Sequence, residues 1–109
     1  MAETIRVLAQ VDLSATTLTD VYTVGAGLSA SISSVTLTNR TTSEITVRVS
    51  IAVAGLADTN KQYIRYDYPI APKGSIDVMI GITLGATDVI RCKTDTISVS
   101  VNVFGVEVG

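Results

Sequence analysis

Apolar and polar residues alternate along almost the whole chain. "TIRVLAQVDL" sets Ile5, Val7, Ala9, Val11 and Leu13 on one face against Arg6, Gln10 and Asp12 on the other. "EITVRVSIAV" repeats the device with Ile45, Val47, Val49, Ile51 and Val53 against Thr46, Arg48 and Ser50. "SIDVMIGI" supplies Ile76, Val78, Ile80 and Ile82, and "TISVSVNV" supplies Ile97, Val99, Val101 and Val103. A period of two carried by β-branched residues is the pattern of half-buried antiparallel strands. No stretch offers the 3.6-residue period of a helix.

Gly, Pro, Ser, Thr, Asn and Asp punctuate the pattern at "LSATTLT", "VGAGLS", "TNRTTS", "AGLADTN", "PIAPKG", "LGATD" and "KTD". These residues set turns by their backbone freedom or their local hydrogen bonds. About eight strands are predicted between them, at 4–13, 20–24, 29–39, 45–53, 62–68, 75–82, 89–93 and 96–108. That many short strands make an all-β, antiparallel β-sandwich in a single domain over residues 1–109. A jelly roll is favoured over an immunoglobulin-like fold, because the pair of cysteines flanking a tryptophan is missing.

The alternation slips twice. Ala30 and Ile32 share one parity and Val35 and Leu37 the other, so an extra residue at Ser33 or Ser34 predicts a bulge. Val103 gives way to Val106 and Val108 across Gly105, which predicts either a second bulge or the end of a strand.

"KQYIRYDYPI" at 61–70 mixes three tyrosines with charges. Strict alternation places Ile64, Tyr66, Tyr68 and Ile70 on a core face, and Tyr63, Arg65 and Asp67 on a solvent or interface face. Tyr63, Arg65 and Asp67 are therefore candidate interface residues. The long terminal strands "ETIRVLAQV" and "NVFGVEVG" are strongly β-forming and could pair with another chain, which adds Ile5 and Val7 to the candidates.

Composition narrows the function. A net charge of −2, a pI near 4.8 and the absence of a basic cluster argue against nucleic-acid binding. The apolar runs are far shorter than the roughly 20 residues of a spanning helix, so no membrane partner is expected, and no secretory signal is visible. A mean hydropathy of +0.45 with 47% hydrophobic residues is high for so small a chain. Apolar surface is expected to be covered by other copies, which predicts a homo-oligomer. Cys92 has no partner in the chain and reads as a small buried hydrophobe.

Catalysis finds little support. There is no histidine, hence neither the commonest general base nor the commonest transition-metal ligand. Nucleophile elbows and phosphate loops are missing. Asp20, Asp58, Asp88 and Asp95 lie where turns want an acid. "DTN" at 58–60 has the oxygen spacing that opens a calcium loop without its later glycine and glutamate. No catalytic, cofactor-binding or metal-binding residue is assigned, and the chain is expected not to be an enzyme.

Two long stretches, "ATTLTDVYTVGAGLSASISSVTLTNRT" and "VSIAVAGLADTNKQYIRYDYPIAPKGSIDVMIGITLGATDVIRC", with the closing "NVFGVEV", resemble small β-rich virion proteins of tailed bacteriophages. The resemblance lies in strand pattern and turn wording, covers most of the chain and carries no catalytic motif. It implies a structural role in the virion, often as a trimer, and therefore assembly in a host cytoplasm. Capsid decoration or cement protein binding the major capsid protein is the leading expectation. A tail, collar, baseplate or fibre component is the alternative, and a sugar-binding β-sandwich module is the more distant one.

Overall fold

The computed structural model describes residues 3–79 and 81–109, and Ile80 of the predicted core face lies outside the described residues. Nine strands follow in order: β1 (Glu3–Leu13), β2 (Thr19–Thr23), β3 (Ser29–Asn39), β4 (Ile45–Ala52), β5 (Tyr63–Ile70), β6 (Ser75–Val78), β7 (Ile82–Leu84), β8 (Val89–Thr94) and β9 (Val99–Val108). Two short 3₁₀ turns, Val53–Gly55 and Asn60–Gln62, lie between β4 and β5.

One sheet runs β1-β9-β3-β6, with β7 also on β3, and the other runs β2-β8-β4-β5. All strand pairs are antiparallel. β6 and β7 pair with successive halves of β3, at Val35–Thr38 and Ala30–Ile32, and so count as one interrupted strand. The orders then become first-eighth-third-sixth and second-seventh-fourth-fifth, which is the double Greek key of a jelly roll. The predicted strand at 75–82 is thus corrected to two, and the interruption faces the place where β3 itself is irregular.

The core lies between the sheets. Val35, Leu37, Val99, Val101 and Val103 from the first sheet meet Val47, Val49, Ile90 and Cys92 from the second, all fully buried. Asn39 is buried among them without penalty. Its amide donates to the carbonyls of Ser43, Ile70 and Ala71, and its oxygen accepts from the Thr41 backbone N–H and hydroxyl. One side chain thereby ties the β3–β4 turn to the end of β5, since a buried amide is tolerated only when its groups are satisfied.

Bulges decide which apolar residues reach this core. In the β3–β9 ladder the register slips between Ile32 and Ser34, so Ser33 is the extra residue. In the β1–β9 ladder it slips between Val7 and Ala9, and the extra residue is Leu8, which turns inward and is buried. β9 neither ends nor bulges at Gly105. It keeps strict alternation while both neighbours bulge beside it, so Phe104, Val106 and Val108 stay on the outer face. Gly105 is required there, because an added Cβ would run into the carbonyl oxygen of Ser31 and lie 3.0 Å from the Cα of Ile32.

Other expectations at strand ends change for local reasons. Val53 and Ile97 are exposed, because the chain has left the ladder at both points for the 3₁₀ turn after β4 and the turn before β9. Ile5 and Val7, on the predicted inward face of β1, also point outward, since the Leu8 bulge reverses the parity of everything before it.

Candidate functional site

Two surfaces on opposite sheets carry the large apolar and aromatic side chains that are exposed on strands, whereas exposed Val53, Leu56, Met79 and Ile97 lie between strands. The first lies on the outer face of β1 and β9. Ile5 pairs with Val106 and Val7 with Phe104, and all four share that face. Ile5 is 80% exposed, Val7 43% and Phe104 36%. On β3 the same rows end in Ser31 and Ser34. Beyond the bulges the outer face turns polar, through Gln10, Asp12, Ser100 and Asn102, and an Arg40–Asp12 ion pair closes it. β1 is an edge strand, so this apolar strip borders a row of unpaired backbone groups.

On the inner side of the same strands lies a polar triad. Glu107 accepts from the Tyr22 hydroxyl at 2.6 Å and from Arg6 Nη2 at 2.6 Å. Tyr22 is the tyrosine that fills the core. Its hydrogen bond, reinforced by Arg6, holds the Glu107 carboxyl below the usual range. Burial, with the Glu107 carboxylate next, pushes the Tyr22 phenol up.

The second surface is β5 with the outer face of β4, and it corrects the predicted faces of the tyrosine strand. From Val47↔Tyr68 to Val49↔Arg65, β5 uses three residues for two of β4, and from there to Ser50↔Tyr63 it uses two for one. Asp67 takes a positive φ of 49° at the first irregularity. Two bulges within eight residues destroy strict alternation. Tyr66 and Tyr68, expected in the core, are exposed, while Tyr63 is half-buried. Arg65 and Tyr68 pair with inward-facing Val49 and Val47, and the Arg65 guanidinium lies 5.9 Å from the Tyr68 ring.

Tyr63, Tyr66 and Asp67 gather on the other side around Arg48. The Arg48 guanidinium lies 4.0 Å from the Tyr66 ring centroid and binds Asp67 through two bonds of 2.7 and 3.2 Å. Tyr63 meets Tyr66 edge to face, with centroids 5.1 Å apart at 86°. The Tyr63 hydroxyl donates to Asp58 at 2.8 Å, which gives that carboxylate a protein partner. Burial, then Asp58, raises the Tyr63 phenol. Arg48 holds Asp67 below its ordinary value. An open pocket of about 410 Å³ is lined by Asn60, Tyr63 and Tyr66.

Of the candidate interface residues, the structure brings Ile5 and Val7 together on one surface and Tyr63 and Asp67 on the other, and separates Arg65 from both. Reasoning from the sequence missed Arg48, Tyr66 and Phe104. Arg48 and Asp67 carry opposite charges at outward positions of consecutive strands, a signal that could have joined them. Cys92 is wholly buried and its thiol is pushed up to about 12 by burial alone, so it stays protonated. Among the described residues no group of three or more acidic or cysteine side chains is placed to hold a metal ion, and no helix is long and apolar enough to cross a membrane. No protein-family model and no curated protein matches the chain.

Proposed function

We propose that the chain is a non-enzymatic structural protein of a tailed-phage virion, a decoration or cement protein that binds the major capsid lattice and associates with its own copies, as a trimer in the favoured form. The observation that carries this reading is the apolar strip formed by Ile5 and Val7 on the edge strand β1 with Phe104 and Val106 on its neighbour β9. Such a strip on a small β domain is an association surface, because water-exposed apolar patches and unpaired strand edges are both relieved by another chain. A core of fully buried residues between the two sheets and a sequence pattern resembling small phage virion proteins suit the same role.

The test has two arms. Multi-angle light scattering of the purified chain should give a mass above that of one copy, and Ile5→Ser combined with Phe104→Ser should return it to a monomer with unchanged circular dichroism. In purified particles carrying the protein, its copy number should be comparable with that of the shell protein. A copy number matching the low rotational symmetry of a tail would replace the cement reading with the tail one. A monomer that also fails to bind particles would overturn both.

A further inference from the structure

We propose that the pocket formed by Asn60, Tyr63 and Tyr66 binds a pyranose unit of an oligosaccharide or polysaccharide. This goes beyond the structural role and rests on a different sheet.

The pocket is built before any ligand arrives. Tyr66 is 55% exposed, yet its ring is held by the Arg48 guanidinium on it and by the edge contact with Tyr63. Arg48 is itself fixed by two bonds to Asp67. The turn that carries Asn60 is closed by the Gln62 backbone N–H donating to the Thr59 carbonyl and the Thr59 N–H donating to Gln62 Oε1, with the Gln62 amide also donating to the Ala57 carbonyl at 3.0 Å. The segment before it is pinned to the sheet by Arg91, which donates to the carbonyls of Leu56 and Gly55. Binding to such a site does not pay to order loose side chains.

The chemistry of the lining selects the ligand class. A pyranose presents a face of C–H bonds, which packs on an aromatic ring, and a rim of hydroxyls, which needs amides and charged groups. Tyr66, 55% exposed, offers the ring surface that Arg48 leaves uncovered, and exposed Asn60 brings an amide to the same pocket. Asp58 and Arg48 bring acceptor and donor within the same cluster. The pocket volume falls in the range of small-molecule sites.

Competing ligands fit less well. A quaternary ammonium or methylated lysine would need the perpendicular tyrosines as a cage, but the chain's own Arg48 already holds the cation position over Tyr66. A peptide adding to β5 as a strand would need a regular edge, and β5 is interrupted twice in eight residues. A nucleic acid would need a basic stripe in a chain whose net charge is −2.

The experiment is saturation-transfer NMR and calorimetry of the whole chain against a panel of hexose, N-acetylhexosamine and uronic acid oligosaccharides. At least one member is expected to bind, with saturation on the C–H face of the sugar. Tyr66→Ala should weaken that binding by about tenfold or more, the scale on which aromatic stacking platforms act. Tyr66→Phe, which keeps the ring, should bind nearly as the parent does, as should Tyr68→Ala on the other side of β5. Circular dichroism confirms the fold of each variant. The proposal is overturned if no panel member binds, if Tyr66→Ala binds like the parent, or if a peptide competes for the site where sugars do not.

Discussion

Gly105→Ala tests whether the bulges beside β9 are as tight in solution as the structure draws them. Gly105 is on the central strand of its sheet, between β1 and β3, and faces the core side. A methyl group there meets backbone rather than a yielding side chain, overlapping the Ser31 carbonyl oxygen and lying 3.0 Å from Ile32 Cα and 3.2 Å from the Ser31 carbonyl carbon. β3 cannot retreat freely, since β6 and β7 hold its other edge. Overpacking of this kind costs about 1–3 kcal/mol, and moving β3 away also strains ladder hydrogen bonds worth about 1 kcal/mol each. The expected loss is about 3 kcal/mol, which in a domain of this size lowers Tm by roughly 12 °C. Urea and thermal unfolding followed by circular dichroism measure it. Gly85→Ala is the control, because its added Cβ would meet only the Asp88 carboxylate at an ordinary 3.7 Å, and it should move stability by less than about 0.5 kcal/mol. A Gly105→Ala loss under about 1 kcal/mol would refute the close approach and, with it, the origin of the outward apolar strip.

Stability should fall in acid through Glu107: its folded pKa lies below the ordinary value of 4.5, so its contribution is full above the unfolded pKa and is lost as pH drops through the folded one. Glu107→Gln should flatten the unfolding free energy against pH below about 5 relative to the parent, and parallel curves would show that the carboxylate contributes nothing. Tyr22→Ala should cost about 3–5 kcal/mol as a buried aromatic, whereas Tyr66→Ala should cost less than about 1 kcal/mol; equal losses would contradict their placement. Cys92 should resist a thiol reagent such as DTNB in the native protein and react fully in denaturant, and rapid native labelling would mean the core opens there. Ser50→Ala should leave stability unchanged or raise it by up to about 1 kcal/mol, since the buried hydroxyl has no hydrogen-bond partner among the described residues, and a clear loss would reveal one.

The strands and their all-β sandwich were legible because Val35, Val47, Val99 and their neighbours repeat with a period that only a sheet can bury, while the jelly roll was favoured only by the missing cysteine pair and tryptophan of an immunoglobulin-like fold. The Ser33 bulge was legible too, as a parity change inside one continuous run. The Leu8 bulge was not: "VLAQV" contains three consecutive apolar residues, and nothing in them says which one steps out of the ladder. β5 failed for a related reason. Its aromatics satisfy alternation on paper, but a positive φ at Asp67 and the ion pair with Arg48 depend on where β4 lies, which no local pattern records. Exposure of Ile5 followed from a bulge three residues away, so its place on a surface could be guessed from the terminal strand's length but not from its parity.

The same irregularities leave the molecule with two distinct exposed faces. Outward-turned Ile5, Val7 and Phe104 lie on the sheet that contains β1 and β9, and Arg48, Tyr63 and Tyr66 on the outer side of the sheet that contains β4 and β5. The core separates the two. A domain that docks through its apolar strip therefore leaves the tyrosine pocket directed away from the surface it covers. Neither face contributes to the buried cluster that stabilises the fold, so each can change in sequence at little cost to folding, as surface positions generally do. In the roles proposed above, attachment through one side would leave the pocket on the other facing outward. That placement arises here from one-residue insertions in an otherwise regular alternation.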